Sequence, residues 1–321
     1  MNNLKKIGLS ALAGSLVATS AFAGEMSVAG GASLNVEHKN GNSADTGKSF
    51  SMGNQLTFTG GGELENGLNV SLSFIIDQND DKSASYAAKS TNAGTPFDSH
   101  SLTISSDGLG SLKFSGEGGS SAISAMDGTA AGDVWDKFDT STAITPTGIG
   151  GGDNSMMYTL PAMVDGVAIN ASYTPRGTAD STVAWNATYT GVEGLSVYAA
   201  AGENNNAAAG IDNTMFGAKY AMGAFTIGYQ VNETDSSTAS ADEEFTALGV
   251  SYAVSDDLSV SLNSSTIDFE SGTNDQEATG ISFSYTTGGL TISGSHSTVD
   301  NVGGTGSADN TGYELNFGFA F

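Results

Sequence analysis

The residues best able to do chemistry lie in one polar stretch. Between Gly118 and Asn154, the four central aspartates, Asp127, Asp133, Asp136 and Asp139, are interspersed with Ile123, Met126, Trp135 and Phe138. No nucleophile and base can be assembled around them, and the absence of cysteine removes thiolate nucleophiles, thiolate metal sites and disulfides. What clustered carboxylates can do without a partner is attract cations along a confined path. The interleaved apolar residues have little use in a loop surrounded by water. They suit a loop packed on a wall, with its carboxylates facing the water path.

The other candidates are weaker. His38, His100 and His296 show no ligand spacing and are expected to be polar groups of a lumen or an interface. Gly148-Ile-Gly-Gly-Gly-Asp153 lacks the lysine and the strand-turn-helix setting of a phosphate loop. Asp80-Asp81 and Asp256-Asp257 could hold Ca²⁺ only weakly, since neither has an EF-hand arrangement, and no cofactor is expected. Trp185 is expected on a lipid-facing surface or in an aromatic girdle. Enzyme activity is not expected.

Whatever these residues do, strands must position them. The last nine residues place Tyr313, Leu315, Phe317, Phe319 and Phe321 on one face, opposite Glu314, Asn316, Gly318 and Ala320. Similar alternation puts Leu68, Val70, Leu72, Phe74 and Ile76 on a common face, and likewise Val183, Trp185, Ala187 and Tyr189, and Ile281, Phe283 and Tyr285. About sixteen such segments can be traced, from one near Met26 to His38 to a last one from Asn310 to Phe321. They are joined alternately by short and long links. Glu65-Asn66-Gly67, Val164-Asp165-Gly166, Val192-Glu193-Gly194, Met222-Gly223 and Thr287-Gly288-Gly289 carry the turn residues that tight hairpins need. Between them lie polar loops such as 39–49, 77–98, 203–212 and 233–244, with 118–154 the longest.

That layout predicts an all-β fold: a transmembrane up-and-down antiparallel β-barrel with short periplasmic turns, long external loops and both termini on the periplasmic side. A barrel of about sixteen strands is too wide for its side chains to fill, so an aqueous channel is expected. The N-terminus agrees. Lys5 and Lys6 precede an apolar run from Ile7 to Thr19, and Ala21-Phe22-Ala23 supplies a cleavage site, so residues 1–23 are read as a secretory signal and 24–321 as the barrel. The signal holds two of the ten basic residues and none of the 35 acidic ones, leaving eight basic against 35 acidic. That balance argues against nucleic acid as a partner. No other apolar stretch approaches the ~20 residues of a membrane helix.

On these residues a resemblance can be stated. The alternating C-terminal strand ending in Phe321 resembles the assembly signal of Gram-negative outer-membrane proteins, which implies outer-membrane lipid and the assembly machinery as partners. A third long loop after strand five, approached through Gly110-Ser-Leu-Lys-Phe-Ser-Gly-Glu117, is similar to the constriction loop of general bacterial porins. Together with the hairpin from Leu56-Thr-Phe-Thr-Gly60 to Leu68-Asn-Val-Ser-Leu72, it resembles the alphaproteobacterial type. The resemblance implies a homotrimeric diffusion channel for small hydrophilic solutes, narrowed by loop 118–154 folded into the lumen, with Glu117 and the four aspartates at the constriction. Members of this family usually oppose the acidic loop with arginines, whereas this chain has a single arginine, Arg176, in an expected external loop. By strand parity Lys113 and Lys219 face the lumen as the basic counterparts, and a net negative, cation-preferring pore is expected. A substrate-specific channel and a barrel that anchors a surface or adhesion protein are the alternatives.

Overall fold

A β-branched and aromatic alternation written sixteen times has to be closed to leave no exposed edge, and it is. The computed structural model describes residues 26–41, 46–77, 97–126, 149–175, 181–205 and 210–321. Its strands are β1 (Met26–Gly41), β2 (Gly47–Glu63), β3 (Asn69–Asp77), β4 (Phe97–Ser106), β5 (Gly110–Glu117), β6 (Ser155–Thr159), β7 (Val167–Thr174) and β8 (Thr182–Val192). They continue as β9 (Leu195–Asn204), β10 (Ile211–Met222), β11 (Phe225–Ser236), β12 (Glu243–Ala253), β13 (Leu258–Phe269), β14 (Gln276–Thr287), β15 (Leu290–Asp300) and β16 (Asn310–Ala320). Each pairs antiparallel with its sequence neighbours, and β1 pairs with β16 to close the barrel. Closure is completed by the terminal residue: the Phe321 N–H donates to the Gly30 carbonyl, and the Gly30 N–H donates back to the Phe321 carbonyl.

One end of the barrel carries the tight turns. Gly166 and Gly194 sit there at φ 73° and 75°, a left-handed backbone that glycine adopts without the cost of a side chain. The other end carries the long connections. Because the wall is convex, outward side chains splay apart and inward ones crowd together, and the exposures divide accordingly. On β8, Val183, Trp185 and Tyr189 are exposed while Thr182, Ala184 and Asn186 are buried. On β10, Phe216 and Tyr220 are exposed while Asn213 and Met215 are buried. The exposed face is therefore an apolar outer band, completed on β2 and β3 by the stacked rings of Phe58 and Phe74, 4.7 Å apart. The predicted apolar stripes of β3, β8, β14 and β16 all lie on it. Its outward hydrocarbon suits lipid, as a membrane barrel requires.

The strands depart from the sequence expectation mainly at the long-loop end. There β11 runs to Ser236, four residues past the predicted stop at Asn232, whereas at the tight-turn end β6 stops at Thr159, short of the turn expected at Val164-Asp165-Gly166. The extension consists of Glu233, Thr234, Asp235 and Ser236, polar residues held by ladder pairing with β10. The shortening coincides with Pro161, which cannot donate to the ladder.

Candidate functional site

The loop after β5 begins at Gly118 and ends at Asn154, and its described ends, 118–126 and 149–154, lie against the inner face of the wall. Its neck is a backbone contact. A Cβ on Gly151 would come within 1.7 Å of the Gly119 carbonyl oxygen, so the glycine run that resembles no phosphate loop permits this close crossing instead. The Gly118 N–H donates to Asp153 Oδ1 at 3.3 Å, the Asn154 N–H donates to the Gly116 carbonyl at 3.2 Å, and the Ser121 hydroxyl donates to the Ile149 carbonyl.

From the neck the chain is tied at three points to two strands, β7 and β8. The Ala122 N–H donates to Ser172 Oγ on β7 at 2.8 Å, Asn186 Nδ2 on β8 donates to the Ala122 carbonyl at 2.6 Å, and Thr188 Oγ1 lies 3.3 Å from Met126 Sδ. Ala122, Ile123 and Ile149 bury themselves with Ala184, Tyr198, Ala200 and Met215, with Met126 and Met157 at the margin. Ile123 and Met126 thus pack on the wall. Asp127, Asp133, Asp136 and Asp139, with Trp135 and Phe138, lie outside the described residues, as do Asp80, Asp81 and Arg176.

The strand residues of the expected constriction are placed by register. Lys113 on β5 pairs with Thr103 and Met157 and shares their inner face, and Lys219 on β10 pairs with Ser196 and Gly228 on the same side as buried Met215. Glu117, half-buried, ends β5 at a bulge opposite His100. The three histidines all stand on the outer face: His38 beside Tyr313 with ring centroids 5.4 Å apart, His296 across from Ile281, and His100 across from Phe74.

Eight strands around the barrel from β8, the wall of β15, β16, β1, β2 and β3 presents mostly small polar groups, with the carboxylate of Asp77 among them. Ser33, Gly53, Gln55, Asp77, Thr291 and Gly318 border a cavity of about 490 Å³. Toward the long-loop end of this wall, Glu37 and Glu314 are direct cross-strand neighbours. Ser49 donates to Glu37 at 2.8 Å, and buried Lys39 holds its ammonium 3.6 Å from the same carboxylate. Sequence reasoning did not single out this carboxylate pair, although Glu37 and Glu314 stand at polar parity in otherwise apolar-alternating strands. Among the described residues no group of three or more potential ligands gathers around a metal-sized position.

A closed sixteen-strand barrel with an apolar outer band and a polar inner wall defines an outer-membrane channel. The model of the Gram-negative porin family matches residues 8–285, and the chain belongs to that family. Among solved structures it is similar to the anion-selective porin from Comamonas acidovorans (14% identity, 92% of this chain and 99% of that one, TM-score 0.67). It is equally similar to a variant of the porin of Rh. blastica (18% identity, 92% and 100% covered, TM-score 0.67) and to a loop-deleted form of OmpT, an outer membrane protein of Vibrio cholerae (14% identity, 92% and 99%, TM-score 0.67). At these identities the likeness is one of fold. Comparison with curated protein sequences finds no significant match. The protein resides in the outer membrane.

Proposed function

We propose that the chain is a passive diffusion channel for small hydrophilic solutes and ions, that loop 118–154 narrows it from within, and that the pore prefers cations. The observation that carries the channel reading is the width of the closed wall: sixteen strands enclose more space than inward side chains fill. The inner side chains of β15 to β3 are also small and polar, as a water-filled path requires. The loop reading is supported by the hydrogen bonds that fasten Ala122 to β7 and β8 and Ser121 to Ile149, and by the burial of Ile123 and Ile149 against the inner wall. The four aspartates belong to the span between those anchors.

Charge supports the ion preference. Glu37, Asp77 and Glu314 face inward from one wall, while among the described residues the inward lysines are Lys39, already paired with Glu37, and the separate Lys113 and Lys219. Eight basic against 35 acidic residues from 24 onward place an excess of carboxylates at the mouths. The similar porin from Comamonas acidovorans is anion-selective, so the fold does not dictate the sign and the residues must. The reading extends to residues 1–23 as a signal cut after Ala23, a homotrimeric assembly, and β16 as the segment the assembly machinery recognises. Neither catalysis nor nucleic-acid binding is part of it.

Swelling of liposomes carrying the protein tests the channel reading. Rates that fall smoothly with sugar size and do not saturate are expected. Saturable entry of one sugar would assign a substrate-specific channel, and an absence of swelling would leave the barrel as an anchor for a surface protein.

A further inference from the structure

An aqueous pore has no evident use for apolar surface on its inner wall, yet the inner face of β12 to β15 carries it at the long-loop end. Phe245, Ala247, Ile267, Ala278 and Val299 are all nearly fully buried in one cluster. What covers them is the chain itself: Val302, in the connection 301–309 between β15 and β16, and Phe269, at the end of β13, pack against the cluster.

The covering segment is fixed at many points. The Gly303 N–H donates to Gln276 Oε1 at 3.0 Å, Asn301 Nδ2 to the Asp275 carbonyl at 3.1 Å, and Thr273 Oγ1 to the Gly304 carbonyl at 3.2 Å. Within the segment, the Val302 N–H donates to the Ala308 carbonyl at 2.7 Å and the Asn301 N–H to Asp309 Oδ1 at 3.1 Å. Asn301, Gly303, Gly304 and Ser307 take left-handed backbone at φ 54°, 65°, 71° and 67°. For Asn301 and Ser307 that conformation carries a cost and persists where the surroundings impose it. Gly304 is also closely packed, since a Cβ there would lie 3.0 Å from Gly272 Cα and 3.2 Å from the Phe269 ring. Connection 301–309 is thereby clasped to the neighbouring connection 270–275.

We infer that these two connections form a fixed shelf inside the external mouth, which sets a size limit on solutes before they reach loop 118–154. This rests on the channel reading above. Among the described residues, the shelf covers β12 to β15 and the loop contacts cover β7 to β10, which leaves the polar inner wall of β16, β1, β2 and β3 uncovered, with a cavity of about 490 Å³ toward its tight-turn end.

The test uses the full-length assembled protein with residues 302–308 replaced by two glycines. Single-channel conductance should rise, and discrimination between a monosaccharide and a trisaccharide in liposome swelling should weaken, loop 118–154 being left in place. Unchanged conductance and sieving in a conducting protein would overturn the shelf and leave the channel standing; a wild-type protein that conducts nothing would instead sink the channel reading. A second readout is independent of conduction and of how the shortened protein assembles. The chain contains no cysteine, so single Val302→Cys and Thr305→Cys variants can be treated with a membrane-impermeant maleimide. Val302→Cys should resist labelling in the folded barrel while exposed Thr305→Cys reacts. Equal reaction at both positions would overturn the shelf whatever the pore does.

Discussion

The side chain of Asn186, buried on β8, donates to the Ala122 carbonyl at 2.6 Å across 64 positions of sequence, and also accepts from Asn170 Nδ2 at 2.8 Å. A wall residue thus fastens the loop that follows β5. Replacing it with Leu leaves the Ala122 carbonyl and the Asn170 amide without this partner in a buried site, a loss of about 1–3 kcal/mol for each group left unsatisfied. Asn186→Leu is expected to lower the unfolding temperature in detergent and to add current noise as the loop loosens. A quiet trace with unchanged melting would show that the anchor contributes little.

The neck of that loop gives a sharper steric expectation. Gly151 and Gly119 touch backbone to backbone, and there is no room for a side chain between them. Gly151→Val should therefore spread the neck and alter single-channel conductance while the far wall, from β12 to β16, keeps its hydrogen-exchange protection. Loss of protection throughout the barrel would mean that the contact is needed for folding as a whole.

On β11 and β12, Glu233 and Glu244 are paired directly, both exposed on the outer face, and Glu244 pairs in turn with Asp268 on β13. Like charges facing each other across strands destabilise a sheet by a few tenths of a kcal/mol when water screens them. Glu244→Gln is expected to raise thermal stability slightly at low salt, with the gain vanishing at high salt. Destabilisation by this change at low salt would point to a favourable role for the carboxylate.

The terminal strand sets the closure. Phe321 exchanges backbone hydrogen bonds with Gly30, and its ring lies where a Cβ on Gly30 would be, within 2.2 Å of Phe321 Cε2. Deleting Phe321 should reduce the yield of heat-resistant protein in the outer membrane, measured by unheated gel mobility. Normal yield would show that neither closure nor assembly depends on it.

The barrel was legible because alternation is local. Leu72 and Phe74, or Trp185 and Tyr189, declare their face without reference to any distant residue, and the spacing of Asn66-Gly67 or Glu193-Gly194 declares a turn. The same alternation puts Lys113 and Lys219 on the inner face of β5 and β10. What was not legible depends on packing between segments far apart. Phe245 and Ile267 stand at inward parity, a signal of a covered inner surface, but their cover, Val302, lies in a polar connection with no periodicity. The pairing of Glu37 with Glu314 arises only when the first and last strands meet at closure.

The reversal potential of the reconstituted channel in a salt gradient tests the account most directly. Carboxylates at the mouths and in the narrowest stretch should concentrate cations, the more so at low ionic strength, where the screening length grows from ~8 Å at physiological salt to ~30 Å at 0.01 M. The account predicts a potential of the sign for cation preference that weakens as salt rises, and that falls further when Asp127, Asp133, Asp136 and Asp139 are replaced together by Asn. A potential of the opposite sign at low salt would mean that Lys113 and Lys219 govern the narrowest point, and would contradict it.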